Sequence, residues 1–323
     1  MACWGANNKG QLGDGTTLNN SKPVAVVGLT GAVQVSAGAE HTCALTSGGT
    51  VQCWGKNASG QLGVGSYQDS GVPVQVSSLS GVTQIAASAE GTCARKSDAT
   101  LWCWGWGGGG PSPVKVTSLG ASVAKVAAGG SNTCIVKSDA TLWCWGANGN
   151  GQLGIGTTTD SVTPVQVTAL GNTVATVAVG TYHTCAVKTD GTVWCWGANW
   201  YGEIGDGSTT QRLTPVTVPG MSTTGTDVLV GSAHTCAMNA SNQLFCWGYN
   251  NYGQLGEGTT TERHTPVQNS MGAVVKAVAS PSAHNCAFKS DRSVWCWGMN
   301  TAGQLGDGTV VSKSIAVQAQ LCQ

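Results

Sequence analysis

Between glycine-rich breaks the chain carries short stretches in which apolar and polar residues alternate, the period of a half-buried β-strand. Four kinds of stretch follow one another in a fixed order. A Cys-Trp-Gly strand starts at Cys3, Cys53, Cys103, Cys144, Cys195, Cys246 and Cys296. A Pro-Val-type strand follows at Pro23, Pro73, Pro113, Pro164, Pro215 and Pro266, with Ile315-Ala316-Val317 as a degenerate seventh. Then come a Val-rich stretch ending in small residues, such as Val174 to Gly180, and a His-Thr-Cys-Ala-type strand, such as His183 to Ala186. Four short strands repeated at intervals of 41 to 51 residues predict an all-β protein, a β-propeller. The whole of 1–323 reads as one domain, with repeats starting near residues 3, 53, 103, 144, 195, 246 and 296. No apolar run reaches the roughly 18 residues of a membrane-spanning helix, so no membrane insertion is expected.

Turn residues separate the last strand of one group from the first of the next. Ser47-Gly48-Gly49-Thr50, Ser138-Asp139-Ala140-Thr141 and Thr189-Asp190-Gly191-Thr192 all suit tight hairpins. The cysteines flank these turns. Cys43 and Cys53, Cys93 and Cys103, Cys134 and Cys144, Cys185 and Cys195, Cys236 and Cys246, and Cys286 and Cys296 are each ten positions apart. That spacing sets each pair opposite across its hairpin, where a Cβ separation of about 3.5–4.5 Å suits a disulfide. Such a framework persists in oxidising compartments and predicts a secreted, extracellular or cell-surface protein. Structural zinc prefers ligands about two to four residues apart, so no metal is expected. Cys3 and Cys322 are left over.

The segments His41-Thr42-Cys43-Ala44-Leu45, Gly151-Gln152-Leu153-Gly154 and Val193-Trp194-Cys195-Trp196-Gly197 resemble the repeat of the regulator-of-chromosome-condensation family. The resemblance covers almost the whole chain and implies a seven-bladed β-propeller. Two departures stand out. A cysteine pair recurs in six units, which points to an exported branch of the family. In the third unit, Trp106 is followed by Gly107-Gly108-Gly109-Gly110-Pro111 where the Gly-Gln-Leu-Gly loop belongs. Only six units carry the Val-rich strand and first cysteine, so six complete four-stranded blades are expected, plus one incomplete blade formed by the two termini. A Cys3–Cys322 bond is expected to clasp that blade. A truncated chain, or completion of the open edge by another subunit, are the alternatives.

Composition narrows function by exclusion. There are 15 basic and 15 acidic residues, 9% of the chain, against roughly 25% in ordinary soluble proteins. A net charge of zero supplies no electrostatic footprint for nucleic acid. His41, His183, His234 and His284 hold one slot in successive units, with Gly91 and Asn132 in the others, and read as turn-stabilising hydrogen bonders. Glu40 and Glu90 precede that slot, without the pairing acid–base work requires. No nucleophile with a base and no phosphate-cradling loop before a helix occurs. The chain is expected to be no enzyme and to need no cofactor.

The aromatic residues divide in two. Trp4, Trp54, Trp104, Trp145, Trp196, Trp247 and Trp297 follow the cysteine in every unit and belong to the core, while Trp102, Trp143, Trp194 and Trp295 precede it and suit packing between blades. Tyr67, Trp106, Trp200, Tyr201, Tyr249 and Tyr252 instead fall in loops where sister units carry small or polar residues. Trp200-Tyr201 and Tyr249 with Tyr252 occupy equivalent loops of neighbouring blades, which makes them the candidate recognition patch. The expected function is a non-catalytic binding or assembly module presenting a propeller face to a protein or glycan, with self-assembly into a larger complex as a variant. The resemblance implies two alternatives: a guanine-nucleotide exchange factor-like regulator of a small GTPase, and a secreted inhibitor of a β-lactamase-type enzyme.

Overall fold

Each cysteine-flanked hairpin forms the middle of an antiparallel four-stranded sheet. In the fourth blade, Val174–Val179 pairs with His183–Lys188, which pairs with Val193–Gly197, which pairs with Arg212–Thr217. Six such blades span residues 32–75, 82–115, 123–166, 174–217, 225–273 and 276–318. A seventh, partial blade joins Ala2–Gly5 to Asn20–Ala25. The computed structural model describes residues 1–107, 109–221, 224–274, 276–279 and 282–321. Its architecture is an all-β propeller of six complete blades and one incomplete blade, as the repeat pattern predicts. Both described strands of the incomplete blade come from the N-terminal segment. The sequence repeat and the blade are out of phase: each repeat supplies the outer half of one blade and the inner half of the next.

Within each blade the two cysteines lie directly opposite, Cys185 against Cys195 for example, with 4.1 Å between Cα atoms in all six pairs. That is the close, non-hydrogen-bonded kind of antiparallel pairing anticipated from the ten-residue spacing. Cys322 lies outside the described residues, and Cys3 has no disulfide partner among them. Burial pushes the Cys3 thiol up to about 12.

The hairpin tips share one device. In four blades an Asp carboxylate accepts the N–H and hydroxyl of the residue two positions on, as Asp139 does from Thr141. That hydroxyl accepts the indole N–H of Trp143, over whose ring Lys137 lies at 4.0 Å. Asp98-Thr100-Trp102, Asp190-Thr192-Trp194 and Asp291-Ser293-Trp295 repeat the arrangement. The half-buried Trp102, Trp143 and Trp194 rings pack against core clusters that span neighbouring blades, as their place in the sequence suggested.

Blades are joined by a Trp and a loop. The indole N–H of Trp196 donates to the Gln152 carbonyl of the preceding blade at 2.9 Å. Trp54 reaches Gln11, Trp104 reaches Gln61, Trp247 reaches Glu203, and Trp297 reaches Gln254 in the same way. Trp4 of the partial blade donates to Gln304 at 2.9 Å and so closes the ring. The second glycine of each Gly-Gln-Leu-Gly loop lies flat on that Trp ring, where a Cβ on Gly154 would stand 2.6 Å from the Trp196 nitrogen.

The histidine slot also serves this joint, which corrects its assignment to local turns. His41 Nε2 lies 2.9 Å from Thr92 Oγ1 of the next blade, His183 Nε2 2.8 Å from Thr235 Oγ1, and His234 Nε2 3.0 Å from Asn285 Oδ1. Burial pushes these imidazoles down to about 4, 3 and 4, which keeps them neutral hydrogen bonders.

Glu203 stands in the joint where five sister loops carry Gln11, Gln61, Gln152, Gln254 and Gln304. It is buried, accepts the Tyr201 N–H at 2.8 Å, and burial raises its carboxyl above the ordinary value of 4.5. A raised carboxyl binds its proton more tightly in the folded chain, so stability falls as pH climbs through 4.5 and beyond. Glu203→Gln is therefore expected to melt higher than wild type at pH 8, with the gap closing towards pH 4. A scanning-calorimetry gap that is independent of pH would contradict this.

Candidate binding surface

Two long loops between the third and fourth strands, in the fourth and fifth blades, carry the aromatic candidates. Each loop is wound around a buried Asn. Asn199 donates to the carbonyls of Ser208 and Thr210 and accepts the Ile204 N–H, while Asn250 does the same with Thr259, Thr261 and Leu255. Arg212 grips Asp206 at 2.7 Å, and Arg263 grips Glu257 at 3.0 Å, tying each loop to the start of the fourth strand. Every backbone turn is thus fixed from beneath, and the side chains at the tips are free to point outward.

Those tips meet. Tyr201 and Tyr249 rings lie 4.8 Å apart, and Tyr249 and Tyr252 rings 6.2 Å apart. Trp200, beside Tyr201, contacts Tyr182 edge-on at 5.4 Å. Trp200 is 52% exposed and Tyr182 43%, with Tyr201 and Tyr252 also at the surface. Of the four residues that the equivalence of neighbouring loops singles out, Tyr201, Tyr249 and Tyr252 are in ring contact, while Trp200 meets Tyr182. Tyr182 was missed. Its signal was its position, one residue before the His slot, where other units carry Glu40, Glu90, Ser131, Ala233 or Ala283. Trp106 and Tyr67 are exposed at 60% and 56% but share no ring contact with this arc. A semi-rigid row of exposed Tyr and Trp presents wide amphipathic area with little rotamer entropy to lose on binding.

At the same end of the propeller, in the first two blades, Lys56 Nζ bridges Glu40 at 3.0 Å and Glu90 at 2.9 Å. The two glutamates do share a rim, as their positions suggested. Hydrogen bonds from Lys56 hold the Glu90 carboxyl below its ordinary range, so the cluster is a solvated ion pair. His264 is the second residue of the fourth strand of its blade, and its ring lies over Gly202. Among the described residues no group of three or more His, Cys, Asp or Glu stands together as metal ligands.

These features define a class: a β-propeller stapled inside its blades, with an aromatic arc on the loops at one end. The family model for the RCC1-like domain matches residues 110–322, and that for the regulator of chromosome condensation (RCC1) repeat matches 3–45 and 48–95. The chain belongs to the RCC1-like propeller family. Among curated relatives, human E3 ubiquitin-protein ligase HERC2 is 35% identical over 112 residues, 34% of this chain but 2% of HERC2. The chain thus spans a small part of the curated relatives it matches. Among solved structures, human WBSCR16 aligns with a TM-score of 0.88 over 99% of this chain and 93% of that one. Yeast RCC1 (Prp20), in its complex with Kap60, aligns with a TM-score of 0.87 over 99% and 83%. Both are 18% identical, a likeness that shows the fold.

Proposed function

We propose that this propeller is a non-catalytic binding module of an oxidising, extracellular or cell-surface setting, and that the arc Tyr182, Trp200, Tyr201, Tyr249 and Tyr252 grips a protein or glycan partner. The observation that carries the reading is the arc itself: a Tyr182–Trp200 pair beside a Tyr201–Tyr249–Tyr252 trio, five rings from two neighbouring blades of which four are exposed. Six disulfides support the compartment. The low share of charged residues, 9% of the chain, supports a partner held by stacking and apolar contact instead of ion pairing.

Replacing Trp200, Tyr201, Tyr249 and Tyr252 together by alanine is expected to weaken binding of the partner captured from the native extracellular medium by about 100-fold or more. The same variant should melt within a few degrees of wild type, because its side chains sit at loop tips. Unchanged affinity in a correctly folded variant would remove the arc from the binding surface.

A further inference from the structure

The aromatic arc is rich in unused hydrogen-bond donors. Among the described residues, neither the hydroxyls of Tyr182, Tyr201, Tyr249 and Tyr252 nor the indole N–H of Trp200 makes a hydrogen bond; Tyr201, Tyr249 and Tyr252 donate through their backbone N–H groups alone. The indoles of Trp143, Trp194 and Trp196, by contrast, all donate inside the fold. The same loops turn their acceptors away. Asn199 and Asn250 are spent holding the backbone, Glu203 is buried, and Asp206 and Glu257 are gripped by Arg212 and Arg263. Glu262 stands at the foot of its loop, one residue before the fourth strand, and Asn251 is exposed beside Tyr252.

This chemistry selects between the two kinds of ligand. Sugar hydroxyls both donate and accept, so a glycan calls for carboxylates and amides beside a flat ring platform. Here the rings in contact are inclined to one another by 58°, 61° and 69°, which makes valleys between them instead of a platform. Free donors and apolar valleys suit a chain that has acceptors, lacks donors and carries compact rings. Proline has no backbone N–H, and a polyproline II helix leaves every carbonyl unused. That helix is formed before it binds, and its three-residue turn sets prolines i and i+3 on one side about 9 Å apart. The Tyr182–Trp200 pair and the Tyr201–Tyr249–Tyr252 trio stand side by side, joined through the adjacent Trp200 and Tyr201, and supply one contact for each.

We propose that the arc receives a proline-rich segment of a partner protein in the polyproline II conformation, with prolines in the valleys and carbonyls accepting from the phenol and indole donors. This rests on the arc being the binding surface, and it narrows the partner to a protein.

The probe is decaproline, blocked at both ends and titrated calorimetrically into the intact protein, with a glycine-serine decamer as the control. Saturable binding of decaproline alone is expected. The triple variant Tyr201→Phe, Tyr249→Phe, Tyr252→Phe keeps the rings and loses three hydroxyls that the fold does not use. It should melt with wild type and bind decaproline about tenfold more weakly. The fourfold alanine variant should not bind it. Absence of binding at millimolar decaproline would overturn the proposal, as would unchanged affinity in either variant. Saturable chitotriose binding that disappears with the rings, while decaproline stays silent, would assign the arc to a glycan and overturn it as well. Loss of the native partner from the fourfold variant, with decaproline silent, would leave the arc as the binding surface and remove only the proline-rich ligand.

Discussion

Reduction of the six described disulfides is expected to lower the unfolding midpoint by about 20 °C. Each bond closes a separate hairpin of ten-residue span, worth about 2–3 kcal/mol in the chain-entropy picture. The loops do not overlap, so their effects on the unfolded chain add to roughly 15 kcal/mol. An unfolding entropy of about 2.1 cal/mol/K per residue makes this chain's total about 0.7 kcal/mol/K, and the quotient is the shift. The measurement is a pair of thermal melts, with and without dithiothreitol. Material isolated without reductant and then denatured should yield at most two reactive thiols, Cys3 and Cys322, of the fourteen cysteines. A midpoint that ignores the reductant, or fourteen titratable thiols, would undo the stapled picture and the oxidising compartment with it.

Gly154→Ala is expected to cost about 3 kcal/mol, a fall of about 4 °C on the same entropy scale. Two causes contribute. The residue sits at φ +72°, a left-handed conformation that costs an L side chain about 1–2 kcal/mol. Its Cβ would also stand 2.6 Å from Trp196 Nε1, in a joint packed too tightly to yield, and overpacking of that kind costs about 1–3 kcal/mol. Gly28 separates the two. It has φ +68° with nothing within 4 Å of the added carbon, so Gly28→Ala should show the backbone cost alone. Equal losses in the two variants would mean that the Trp joint tolerates the methyl group and is looser than its geometry implies.

The strand order, the disulfides and most of the aromatic arc were legible in the sequence because each follows from a local period or from equivalence between neighbouring repeats. Cys185 and Cys195 face each other for reasons contained in a dozen residues, and Tyr201 meets Tyr249 because equivalent loops of adjacent blades must lie side by side. What escaped was what passes between blades. His41 bonds Thr92, 51 positions away, and a repeat sequence shows such a partner only as another copy of itself. Tyr182 escaped because its slot belongs to a different loop from Trp200. The second blade's shortened loop was visible, as a run of glycines where a motif should stand.

The contact from Trp4 to Gln304 sets the order in which the molecule can be finished. The other Trp joints bridge 43 or 44 residues, so each can lock as soon as the following blade emerges from the ribosome. The last bridges 300, and closing so long a loop costs about 2 kcal/mol more. The nascent chain is therefore an open crescent with two raw ends until its final blade is made. The same seam is where the finished circle should first part under heat or force.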